Sequence, residues 1–249
     1  GTLGSAQTKG TKKTMEAAVD LLNCAATHPD AKIRCHTSDM QLHIHSDASH
    51  LSEPEAKSRV GGYFFLGGKD NPDPQSDPPA INGATHVEST IMRNAMASAA
   101  EAETGGLFVN GQAGQPLITT LTEMGHPQLG PTPICTDNTT ADGIANETVK
   151  PKRTKAMDMR FYWIIDRVRQ GQYRVHWKRG EGNLADYFTK HHPPSHHIEK
   201  RSDYVINKAT ENQNPESGEG VLIGSTTQSV PHQSAQIPEH RSQVLVNSS

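Results

Sequence analysis

Four acidic residues, each on a different predicted element, constrain this chain more than any other feature. Asp47 lies in 41–49 (QLHIHSDAS), and three later segments supply acids able to join it: 98–108 (SAAEAETGGLF), 134–141 (ICTDNTTA) and 183–190 (NLADYFTK). Asp47 follows a stretch that alternates as a strand does, Glu103 falls on the next predicted helix, Asp137 ends a short strand, and Asp186 falls on a late predicted helix. Brought together, four carboxylates offset the charge of two divalent cations about 4 Å apart. Hard oxygen ligands of this kind suit Mg²⁺ or Mn²⁺ rather than zinc. Glu101 competes with Glu103 but lies two residues away, on a different helix face.

The chain has 249 residues, 5% aromatic residues and a formal net charge of −3. So little apolar material argues for one compact domain with loose ends. Its cysteines, Cys24, Cys35 and Cys135, are odd in number and lack the spacing of a disulfide framework or structural zinc. No apolar run reaches the length of a membrane span, and the first residues lack the core of a signal peptide. The expectation is a soluble intracellular protein, cytoplasmic, with the nucleus left open. Its first residue is Gly1, so a fragment of a longer translation product is expected.

Alternation in 41–46 predicts a strand with Leu42, Ile44 and Ser46 on one face and His43, His45 and Asp47 on the other. Further strands are predicted at 60–66, near 85–92, at 133–136 and at 173–177. Helices are predicted at 14–26 after a Thr cap, at 95–108, 117–124, 139–147 and 155–170, and last at 183–191. The 155–170 helix places Met159, Tyr162, Trp163, Ile165 and Val168 roughly on one face. Segment 67–80, rich in Pro and Asp, reads as an enlarged hairpin connection. Three strands, two helices and then alternating strand and helix make an α/β fold, a mixed five-stranded sheet flanked by helices.

Residues 193–249 are dominated by polar residues and Pro and are expected to be mostly disordered. The histidines at 191, 192, 196 and 197 invite a metal reading, although such runs in polar tails are more often solvated. Between 149 and 180 lie ten Lys and Arg, among them Lys150, Lys152, Arg153, Lys155 and Arg160, against Asp158 and Asp166. Such an excess suits either contact with a polyanion or a solvated helix face.

These segments resemble the ribonuclease H domain at the C-terminal end of copia-type LTR retrotransposon polyproteins. The likeness rests on SAAEAETGGLF, CTDNTTA, KAMDMRFYWI and LADYFTK, and covers roughly 41–190. It implies a ribonuclease H-like fold at 41–192 and an enzyme cutting the RNA strand of RNA–DNA hybrids with two Mg²⁺ ions. Asp47, Glu103, Asp137 and Asp186 would be both ligands and catalytic residues, and Glu103 is preferred to Glu101 on this ground. It also implies an upstream reverse transcriptase domain, of which 1–40 would be a trailing piece. The basic residues named above become candidates for holding the DNA strand. Thr104 stands where the family usually has Tyr, and Ala156 where a His is common. Gly105, Gly106 and Gly111 each lower helix stability by up to about 1 kcal/mol relative to Ala.

Two alternatives remain at this point. The glycine-weakened helix leaves room for a decayed ribonuclease H fold that binds nucleic acid or tethers a polymerase. The motif LHIHSDAS also resembles the opening of PHP-type metal phosphoesterases, in which His43, His45 and Asp47 would begin a ligand cluster.

Overall fold

In a computed structural model the described residues are 2–69, 80–149, 159–206 and 220–223. Helices α1 (Thr2–Ser5) and α2 (Lys12–Thr27) come first. Thr11 rather than Thr14 caps α2, the two residues exchanging side-chain and backbone hydrogen bonds in a capping box. The predicted apolar face is present but unburied: Met15 is 67% and Leu22 68% exposed. Strand β1 (Ile33–His36), absent from the sequence reading, leads to the hairpin strands β2 (Gln41–Glu53), β3 (Lys57–Gly67) and β4 (Ala84–Ile91). The connection at 70–79, expected as an enlarged hairpin loop, lies outside the described residues.

Helix α3 (Ala99–Glu123), β5 (Thr132–Thr136), α4 (Thr139–Ala145), α5 (Met159–Arg169) and β6 (Tyr173–Trp177) follow. The five-stranded sheet runs β4-β3-β2-β5-β6. Antiparallel pairs join β2, β3 and β4, whereas β5 pairs in parallel with both β2 and β6. This is the mixed five-stranded sheet that the sequence predicts. No helix among the described residues is long and apolar enough to cross a membrane.

Alternation along β2 sorts the two sheet faces. Leu42 and Ile44 enter the larger core with Phe64, Leu107, Ile134, Ile164, Tyr173 and Val175, under α3 and α5. On the other face His43 stacks on Phe65 at 5.1 Å, and His45 meets Phe65 edge-on at 5.5 Å. A smaller cluster of Ala48, Val60, Met92, Met96 and Ala102 closes one end.

Two predicted helices, 95–108 and 117–124, are one continuous α3, contrary to expectation. Local propensity counts its glycines and Pro116 as breakers, but Gly106 and Gly114 are where the helix meets the sheet, and Gly111 is where it meets Trp163 of α5. A Cβ on Gly106 would sit 3.4 Å from both Ala48 Cβ and Asp47 O, and one on Gly114 2.9 Å from Ile44 Cδ1. Close approach therefore favours Gly at 114, whereas 106 makes an ordinary contact with the sheet. Asn110, fully buried one turn after Gly106, donates through Nδ2 to Ser46 Oγ and Gly61 O, both at 2.8 Å.

Helix α5 is rotated from its predicted face. Phe161, Ile164 and Ile165 are buried, whereas Met159 and Tyr162 are exposed. The run FYWII is apolar nearly all round, so packing sets the phase, with Trp163 edge-on to Phe108 at 5.4 Å. Of the helix predicted at 183–191 only a 3₁₀ turn, Asp186–Phe188, is present, and another 3₁₀ turn, Gly180–Gly182, precedes it. Within 193–249, read as mostly disordered, the structure differs by describing α6 (Pro194–Tyr204) and β7 (Gly220–Ile223), the latter antiparallel to β1. Tyr204 of α6 packs on Tyr63 at 5.9 Å and Phe188 at 5.4 Å, covering the second sheet face.

The turn at 185–189 lies so close to β3 that a Cβ on Gly61 would fall 2.5 Å from Ala185 O and 2.6 Å from Thr189 Cγ2. Gly61→Ala should therefore destabilise the protein by about 1–3 kcal/mol, read as a lower midpoint of urea denaturation at unchanged slope. A midpoint equal to the wild type would contradict this packing.

Candidate metal centre

Parallel pairing of β2 and β5 matches Ile44 with Ile134 and His45 with Cys135. Continued for two residues, that register brings Asp137, just past the end of β5, level with Asp47. Glu103 lies one helical turn before Gly106, the residue pressed against Asp47 O, and so shares its inward face. Sheet register and helix approach thus deliver three acids from separate elements to one place. One ligand oxygen from each of Asp47, Glu103 and Asp137 lies within 4.8 Å of the others.

Asp186, expected on a helix, sits on the second 3₁₀ turn and is outside this group of three. It is partly exposed, and Lys190 Nζ donates to its Oδ1. Its charge nevertheless raises the proton affinity of both Asp47 and Asp137. Glu101 is settled differently: its Oε2 accepts from Ala97 N at 2.8 Å while its own N–H donates to the Ser98 cap. It closes the start of α3 and does not face the cluster.

Burial and mutual repulsion dominate the electrostatics. Burial first, then the charges of Asp47 and Asp137, push Glu103 up to about 9. Burial also pushes Asp47 up to about 6, against the hydrogen bond donated by Thr189 Oγ1 to its Oδ2. Asp137 is raised by burial as well. The Ala48 amide bonds the Glu103 carboxyl, but Glu103 Oε2 is buried and has no hydrogen-bond partner among the described residues. Three crowded oxygen donors with one such atom fit a hard divalent cation.

Sequence reading missed the residues that hold the Asp186 turn in place. Asn183 Nδ2 donates to Ser46 O at 2.9 Å, and Leu184 N to His45 Nδ1 at 3.1 Å. Ser89 Oγ donates to Phe188 O at 3.0 Å, and Tyr204 Oη to Leu184 O at 3.0 Å. Behind Ser89, Arg59 Nη1 donates to its Oγ at 3.1 Å, and Arg59 Nε to Glu53 Oε1 at 2.6 Å in a buried ion pair. Trp177 Nε1 donates to Asp137 O at 2.9 Å at the far side. These partners are distant in sequence, so no local pattern marks them.

His43 and His45 do not join the acids. His43 Nε2 bonds Gly68 O at 2.8 Å, and burial pushes His45 down to about 3, leaving it a neutral acceptor for Leu184 N. Both are structural here, against the PHP expectation. His192 and His196 stack at 4.1 Å beside Tyr187, and no metal-ligating group among the described residues includes them. Lys150, Lys152, Arg153 and Lys155 lie outside the described residues, as does the side chain of Arg160.

No family model and no curated protein matches this chain. Fifteen solved chains do. LC11-RNase H1, isolated from compost, is similar at 15% identity and a TM-score of 0.43, over 66% of this chain and 99% of that one. The same enzyme in complex with an RNA/DNA hybrid is similar at 14% and 0.42, over 60% and 94%. The protease-reverse transcriptase of prototype foamy virus is similar at 14% and 0.33, over 72% of this chain and 22% of that one. The strand order and directions described above are those of a mixed sheet with three antiparallel strands followed by two parallel ones. The fold that this chain shows is an α/β one, a mixed five-stranded sheet flanked by helices.

Glu103 predicts how the metal-free protein responds to pH. Folded, it keeps its proton up to about 9, whereas an unfolded Glu releases it near 4.5. Between those values the folded state binds more protons, so its stability falls as pH rises. Without divalent ions, the melting temperature should drop from about pH 6 to about pH 9 more steeply in the wild type than in Glu103→Gln. Parallel pH profiles for the two proteins would contradict the assignment.

Proposed function

We propose that this chain is a metal-dependent endonuclease that cuts the RNA strand of RNA–DNA hybrids, acting in reverse transcription of a copia-type retroelement. The observation that carries this reading is the convergence of Asp47, Glu103 and Asp137 oxygens within 4.8 Å, at the point where the parallel strands β2 and β5 of this fold meet α3. In the same reading 41–192 form the ribonuclease H-like domain, and 1–40 the end of a polymerase or connection segment. The upstream reverse transcriptase domain of the same polyprotein is the proposed partner.

Asp47, Glu103 and Asp137, with Asp186 beside them, would hold Mg²⁺ or Mn²⁺. Such ions supply positive charge for in-line displacement at a phosphodiester. Glu103 gives up the proton it carries at neutral pH when it becomes a ligand. Thr189 fixes the orientation of Asp47 through a hydrogen bond to Oδ2. Substrate recognition rests on backbone phosphates and RNA 2′-hydroxyls rather than base identity. Lys150, Lys152, Arg153, Lys155 and Arg160 are proposed to contact the DNA strand.

Glycines in α3 no longer speak for a decayed domain, because those at 106 and 114 meet the sheet. The direct test is incubation of purified protein with a hybrid labelled on each strand, with Mg²⁺ or EDTA. Expected is cleavage confined to the RNA strand, dependent on the ion, and lowered about a hundredfold or more in folded Asp137→Asn. Cleavage of both strands, or full activity in that variant, would overturn the reading.

A further inference from the structure

Lys190 comes directly after the residue that locks the last turn onto the sheet. Thr189 is fully buried, and its hydroxyl reaches Asp47 while lying 2.9 Å from Asp186 O. Its neighbour's backbone is therefore held beside the acids, and the Lys190 ammonium donates to Asp186 Oδ1. The pair is accessible, with side-chain exposures of 52% and 33%. The same positive charge acts on Asp47, Glu103 and Asp137, in each case opposing the rise that burial imposes. For Lys190 itself, the effect of burial is outweighed by the hydrogen bond to Asp186 and the charges of Asp186, Asp47 and Asp137.

We infer that Lys190 is a tethered counter-ion of the acid cluster, which offsets part of its charge in the metal-free protein and competes with divalent cations for the Asp186 carboxylate. The inference rests on the reading of these acids as metal ligands. A metal cation and an ammonium at one carboxylate oxygen repel, so loading the site moves Nζ off Asp186 Oδ1. The lysine stem is long and flexible, and the freed ammonium remains at the mouth of the site, where a phosphodiester would meet it. Lys190 is in this account a positioning residue that sets how readily the site fills.

Competition has a signature opposite to that of a residue that merely supports the fold. Removing a supporting residue weakens metal binding; removing a competing charge tightens it. Calorimetric titration of the full chain with MgCl₂ at about pH 8, without nucleic acid, should show Lys190→Met binding about three- to tenfold tighter than the wild type. Lys190→Arg, which keeps the charge, should stay within about twofold. Unchanged or weaker binding in the Met variant, or equal tightening in both variants, would overturn the competition while leaving the metal reading intact. A folded wild type that takes up no Mg²⁺ would overturn the metal reading itself.

Discussion

Repulsion among carboxylates forced within 4.8 Å of one another is the constraint that the rest of this structure serves. Left to local physics, such groups separate or protonate, and Glu103, pushed up to about 9 first by burial and then by the charges of Asp47 and Asp137, does the latter. Holding them requires rigid elements that converge from different parts of the chain. The sheet places Asp47 and Asp137 by parallel register, and α3 places Glu103 by resting small residues on β2. The last turn is too short to be rigid on its own, and hydrogen bonds from β2, β4, α6 and the turn itself hold it. Stability is thus traded for a preorganised negative site, which a bound cation would repay.

That arrangement explains which parts could be read in the sequence. Strands announce themselves by alternation: Leu42 and Ile44 go to the helical face, His43 and His45 to the other. Asp47 and Asp137 were legible because each follows a predicted strand, although β2 runs on through Asp47, and Glu103 and Asp186 because SAAEAETGGLF and LADYFTK resemble a known family. Glu101 against Glu103 was harder, since both lie on one helix. Only the fold shows that Glu101 bonds the Ala97 amide while Glu103 enters the cluster.

What was not legible depended on tertiary contact. Helix propensity breaks α3 at its glycines, yet Gly106 and Gly114 are where helix and sheet touch, so packing overrides propensity. Residues 183–191 carry a helical pattern, but hydrogen bonds from Asn183, Ser89 and Tyr204 to distant backbone limit them to one 3₁₀ turn, Asp186–Phe188. In α5 the run FYWII offers no polar stripe, and neighbouring helices choose its buried face. Helix α6 looked like polar tail because its sequence is polar, and the aromatic contact that seats it, Tyr204 against Tyr63 and Phe188, is tertiary.

On this reading Asp47, Glu103 and Asp137 are ligands of one metal centre. A crystal of the protein grown with Mn²⁺ and measured for anomalous scattering addresses it without reference to activity. The account predicts anomalous peaks within coordination distance of all three carboxylates, at about 2.0–2.3 Å from their oxygens. Peaks at the histidines of α6, or none at the acids in a well-ordered crystal, would contradict it.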